Sequence, residues 1–229
     1  MKREMIENIR KNLNISAQEH LKEQNFEFAQ AKKILKDYQL TRLKETHQEL
    51  LYDPQTRKAA EFFLNEIYGS SKMSERHQDL NKLLPTMEKV FPDKALEVIN
   101  DAIELHTLTE VLDNKLVQEL GVNFTSEQYD AAYRISASKE DRIKQLELVK
   151  KVGFDLCNLV KLPLISMTLK MMRVPAKLGG LSDMHDFLES GFNTFKETRN
   201  PKDFIEKVIN KEYQMLDKIY SSGSVLKPF

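Results

Sequence analysis

His106, Glu110 and Asp113 follow one another at spacings of four and three. On a helix these spacings put an imidazole and two carboxylates on one face. Such a set can share a proton, hydrogen-bond a polar ligand, or bind iron, manganese or zinc. Its neighbours make it unusual. Ala95, Ile99, Ala102, Ile103, Val117 and Leu120 fall on the same stripe, and Glu97, Glu104 and Lys115 fall opposite. The stripe is therefore predicted to face a core, where unpaired polar groups cost several kcal/mol. His47 interrupts a second stripe, Leu40, Leu43, Leu50 and Leu51, in the same way.

Three arrangements satisfy such groups: a structural hydrogen-bond network, a wet pocket for a ligand, or a metal centre. The network ranks first, because buried polar side chains are as a rule paired within the protein. The metal reading takes His106, Glu110, Asp113 and His47 as ligands and implies iron or haem. Otherwise no cofactor is predicted. A ferritin-like di-iron centre is disfavoured, since it uses Glu-x-x-His. The residues three before the histidines are Ala17, Lys44, Ser74, Ile103 and Ser182.

Other chemistries have less support. Cys157 lies in an apolar helical pattern with no histidine near it in sequence, and reads as a small buried residue. No phosphate-binding glycine loop, zinc cysteine pairs or nucleotide fingerprint is present. His185 and Glu189, one turn apart, read as a solvated pair. Arg76 and Asp79 read as a surface ion pair beside Ser74. Tyr68 is expected to bury its ring and point its hydroxyl at a polar partner. Met167, Met171, Met172 and Met184 read as core filling before they read as an adaptable pocket. Lys170, Arg173 and Lys177 make a small basic patch.

Helices must position these groups, and their punctuation is legible. Ser16 with Glu19 predicts a helix start, and a break is expected near Asn25. Asp53-Pro54 predicts a helix over 54–68, stopped by Gly69. Glu61 to Pro85, with Phe62-Phe63 and a Ser74 cap, reads as the stretch around which the chain is organised. Pro92-Asp93 opens a long helix that Gly121 should end. Thr125 with Gln128 and Ser138 with Asp141 cap the next two. Pro163 separates off Leu164–Arg173, which is apolar on nearly every side and so predicted to be central. Ser182 and Asn200-Pro201 start the last two helices, and Gly179-Gly180 is the one hinge-like break. No strand alternation or internal repeat is seen. The expected fold is all-α, a single multi-helix bundle of about nine helices over residues 1–220, with a flexible tail at 221–229.

Composition narrows the classes. The chain has 229 residues, 41% hydrophobic, with only seven glycines and seven prolines. Thirty-five basic side chains balance 35 acidic ones, so no broad positive field exists to hold nucleic acid. One cysteine excludes an internal disulfide framework. The first residues, MKREMIENIRKNLN, lack an apolar core of signal-peptide length, and the longest apolar run is too short to span a bilayer. These features predict a cytoplasmic protein with no membrane or nucleic-acid partner.

An ordered series of short motifs resembles a known family. It runs His47 with Glu49-Leu50-Leu51, Phe62-Phe63-Leu64, Ile67-Tyr68-Gly69, Arg76 with Asp79, Leu84-Pro85, Phe91-Pro92, Glu104-Leu105 and Leu112-Asp113. It continues through Leu162-Pro163-Leu164, Met172-Arg173, Pro175-Ala176, Gly180-Leu181, Phe187-Leu188 and Gly191-Phe192. The series is similar to a family of bacterial all-helical proteins, a domain of unknown function, over most of 40–200. The resemblance implies one helical domain and supplies no activity, cofactor or catalytic residue. The functional expectation is a non-enzymatic module that binds a protein or small-molecule partner. The alternative is a haem-oxygenase-like or other helical metalloprotein. A structural homodimer is the third reading, with Phe62, Phe63 or the 164–172 segment at its interface.

Overall fold

The structure is a computed structural model. It describes residues 1–68 and 73–221, with the side chains of all but 67, 68 and 73–78. The Gly69 stop, the Ser74 cap, the Tyr68 hydroxyl, the Arg76–Asp79 pair and tail residues 222–229 lie outside it.

The described chain is all-helical. α1 (Lys2–Leu21) leads through a short 3-10 turn to α2 (Phe26–Thr46), and α3 (Gln48–Tyr52) and α4 (Arg57–Phe62) follow. A π-helical segment, Phe63–Tyr68, extends α4. Then come α5 (Met73–Val90), α6 (Asp93–Leu120), α7 (Ser126–Ser136) and α8 (Lys139–Leu159). α9 (Pro163–Leu178), α10 (Ser182–Glu197) and α11 (Pro201–Ser221) complete the order. Eleven α-helices are described where about nine were expected. One reason is that the chain breaks at His47, which sets off the short α3.

Local chemistry sets most boundaries. Asn25 accepts a hydrogen bond from the Phe28 amide at the start of α2. Pro92 stands just before α6, whose N-terminal turn needs no amide from it. Gly121, at φ +64°, ends α6 in a conformation that side chains disfavour. Thr125 and Gln128 form a reciprocal capping box, and the Ser138 hydroxyl accepts from the Asp141 amide. The Ser16 signal does not operate. α1 runs straight through it, with Ile6, Ile9, Leu13 and Ser16 buried, and Glu19 is bound by Asn114 of α6. α5 likewise continues past Pro85.

α6, not the 61–85 stretch, is the organising element. α1, α2, α7 and α8 all pack against it. Its first half, with Ala95, Leu96, Val98 and Ile103, belongs to a large core shared with α1, α5, α8, α10 and α11. Its last turns, with Leu116 and Val117, belong to a second core built with Ala31 and Leu35 of α2 and Tyr129 and Ala132 of α7. Phe63 is consumed in the first core, against Phe195 and Phe204, and Phe62 stacks on Phe187 of α10.

α9 is not central. It leaves α8 at 90° and packs chiefly on α10. Ile165, Leu169 and Ala176 are buried, while Leu164, Met167, Met171, Val174 and Leu178 are between 57% and 84% exposed. The four methionines therefore split: Met167 and Met171 face out, and Met184 is buried. Among the described residues no single helix is long and apolar enough to cross a membrane.

Candidate functional site

The apolar stripe of α6 passes from one core to the other between Ile103 and Leu116. Glu110 and Asp113 occupy that passage and are buried, and His106, half-buried, lies one turn before them. Their partners come from α2. Lys32, only 2% exposed, reaches Glu110 and also Glu23 at 2.7 Å. Lys36 approaches the other Glu110 oxygen at 3.3 Å, and Gln39 donates to Asp113 at 3.1 Å. Lys32, Lys36 and Gln39 repeat the four-and-three spacing of His106, Glu110 and Asp113. Two helices thus face each other with ladders of polar side chains at matching spacing, the basic Lys32 and Lys36 of α2 against Glu110 of α6. Sequence reasoning found one ladder and missed the other; the shared spacing was the signal.

The two carboxyls are tuned in opposite directions. Burial pushes Glu110 up, but the charges of Lys36, Lys32 and His106 outweigh it and hold the group at about 2. Burial dominates at Asp113 and raises it above the ordinary aspartate value, against the Gln39 hydrogen bond and the nearby charge of Arg142. Arg142 is itself buried, with its guanidinium 3.9 Å from the centre of the Tyr133 ring.

The ionic seam has a second half. Glu212 of α11 accepts from Arg42 at 2.9 Å and pairs with His47 Nε2 at 2.8 Å. Burial pushes Glu212 up, but the His47 hydrogen bond and the Arg42 charge bring it below the usual glutamate value. Arg42 is raised in turn: burial opposes its charge, and Glu212 overcomes this. These contacts fasten α2 and His47 to α11, far away in sequence.

The stability of this seam is expected to depend on pH. A folded Glu110 at about 2, against an unfolded value of ~4.3, favours the fold above pH ~4.3. That stabilisation, about 3 kcal/mol, is lost as pH falls from ~4.3 towards ~2. Asp113 works the other way. Its raised value favours the fold at low pH and costs stability once pH exceeds it. Urea titrations at pH 7, 5, 4 and 3 should show a falling midpoint. Glu110→Gln should flatten the acid limb, and a limb identical to the parent's would remove Glu110 as its source.

The ladders do not suit a metal. Among the described residues no group of three His, Cys, Asp or Glu side chains could hold one. A cation at Glu110 would also meet the ammonium groups of Lys32 and Lys36, which already bind both of its oxygens. His185, expected in solvent with Glu189, is instead buried and its Nε2 donates to the Leu169 carbonyl at 2.8 Å. Glu189 takes a two-point contact from Arg173, at 3.0 and 2.6 Å. Cys157 is fully buried, and burial pushes its thiol up, away from nucleophilic use. Two surface grooves, of about 440 and 280 Å³, are lined mainly by α8 residues Lys144 to Phe154 and by Phe62, Asn65 and Ser190. Neither includes the ladder residues.

The outer face of α9 remains. Leu164, Met167, Met171, Val174 and Leu178 follow at spacings of three and four. They lie within about 80° of one another around the helix. Lys170 and Lys177 run along one side. The inner face is fixed by the His185 and Glu189 contacts, so the stripe is held on a docked helix.

A family model described as Domain of unknown function (DUF8198) matches residues 18–225. No curated protein and no solved structure matches the chain. The chain belongs to this family.

Proposed function

For this member of the DUF8198 family, we propose a non-enzymatic, partner-binding role in which α9 is the docking element. The observation that carries it is the five-residue apolar seam of Leu164, Met167, Met171, Val174 and Leu178. Large exposed apolar side chains elsewhere, such as Phe26, Tyr52 and Ile135, are far apart in sequence, as singles on any surface are. A continuous seam on one helix is different. Contiguous apolar patches on soluble proteins mark interaction sites. The ladders support the same reading from the other side: their charges are spent on holding helices together.

The test is site-specific photo-crosslinking in cells. A benzophenone side chain at Met171 is expected to give discrete adducts that the same group at exposed Lys115 does not give. No adduct at Met171, or the same adducts at both, would sink the proposal. The metalloprotein alternative has its own test on the same purified chain. Stoichiometric iron or a haem absorbance band, lost in His106→Ala, would replace the docking role with a metal centre.

A further inference from the structure

The geometry of α9 points to the class of partner: an amphipathic helix with acidic flanks. This rests on the docking role just proposed and names its occupant. Taking Leu164 as position a of a heptad, Met167 is d, Met171 a, Val174 d and Leu178 a. That spacing is the narrow seam of a coiled coil, two heptads long. A lipid surface takes an amphipathic helix lying whole in the interface, whereas α9 offers only its outer stripe because its other face packs on α10. A seam about 80° wide and about 21 Å long suits one helix laid along it.

Charge selects among helices. From Lys161 to Ser182 the chain carries Lys161, Lys170, Arg173 and Lys177 and no acidic residue. Lys170 and Lys177 occupy consecutive g positions, the ones that pair with flanking charges on a partner helix. Both are exposed. Arg173 lies farther round and is already held by Glu189. The other acidic group beside it, Asp186, lies on α10. The charge at the seam's edge is thus positive at two points seven residues apart, with Glu189 feeling the charge of Lys170.

A second copy of the chain does not supply the complement. Laid antiparallel, it brings Lys170 and Lys177 against their own counterparts. Laid parallel, it sets them against Pro175 and Ser182, which carry no charge. A helix with leucine-like side chains at a and d and Glu or Asp at the facing flank satisfies both seam and charge. Two heptads bury less than a standard interface, so the expected affinity is in the ~10–100 μM range.

The experiment uses the full chain and two synthetic 21-residue helices. Both carry Leu at a and d; one carries Glu at every e and g position, the other Lys. Binding is read by fluorescence anisotropy at 150 mM NaCl. The parent chain is expected to bind the Glu helix at least tenfold more tightly than the Lys helix. The Lys170→Glu/Lys177→Glu chain should reverse that preference. Met171→Glu, an exposed change, should abolish binding to both with an unaltered melting temperature. Equal binding of the two helices, or none by either at 1 mM, overturns the assignment. So does binding to phosphatidylglycerol vesicles in place of the peptide, or a concentration-dependent dimer that Met171→Glu dissolves. The last two outcomes keep α9 as a docking surface and change its occupant. Failure of peptide, vesicle and dimer alike, with no crosslink at Met171, removes the docking role as well.

Discussion

Lys32→Met is expected to lower the unfolding free energy by about 3–5 kcal/mol, the usual cost of stripping one partner from a buried ion pair. Lys32 bridges Glu23 and Glu110, and its ammonium is buried between them. Burial alone would pull its pKa down, yet Glu110 and Glu23 together raise it, so it stays charged in the fold. Removing it leaves Glu110 with the more distant support of His106 and with Lys36, which is 40% exposed and bound at 3.3 Å. The double variant Lys32→Met/Glu110→Met should recover most of the loss, because replacing both members of a buried pair is often neutral. Urea unfolding followed by circular dichroism is the measurement. The midpoint should fall with an unchanged m value in the single variant and return in the double. A single variant within 1 kcal/mol of the parent would mean that the ladder does not hold α2 to α6.

The same ladder shows where sequence reading succeeds and where it stops. α6 was legible from Pro92-Asp93 to Gly121 because both ends carry local signals, and the burial of Glu110 and Asp113 followed from periodicity inside one helix. Their satisfaction by Lys32, Lys36 and Gln39 was not legible in the same way. A lysine on an amphipathic helix ordinarily reads as solvated, and only the tertiary pairing of α2 with α6 buries it. The capping box at Ser16 and Glu19 failed for a related reason. A cap needs the chain to turn, but Ile6, Ile9, Leu13 and Ser16 are buried along a straight helix against α6, and Asn114 takes the Glu19 carboxylate. His185 and Glu189 were misread because their partners, the Leu169 carbonyl and Arg173, sit on a preceding helix. α9 was misplaced because an all-round apolar pattern records that both faces need cover. It does not record whether this chain or a partner provides it.

The second large effect is expected at Glu212, which has two partners to lose. Glu212→Ala should cost about 2–3 kcal/mol, less than Lys32→Met, because Arg42 keeps 21% of its side chain in solvent and can rehydrate in part. His47 cannot do so. Its side chain is 6% exposed and its Nδ1 has no hydrogen-bond partner among the described residues, so losing the Glu212 contact at Nε2 leaves both ring nitrogens unsatisfied in the core. Glu212→Gln separates the two contributions. The amide keeps an acceptor for His47 but gives up the charge that stabilises Arg42, so it should fall between Ala and the parent. The loss in Glu212→Ala should change little between 50 and 500 mM NaCl, since buried pairs are weakly screened. A strongly salt-dependent loss, or equal stability of Ala and Gln variants, would reduce this contact to a surface ion pair. In that case α11 would be held on α8 by its apolar residues, Phe204, Ile205 and Ile209 among them, and by the Tyr213–Glu147 and Lys139–Asp217 contacts.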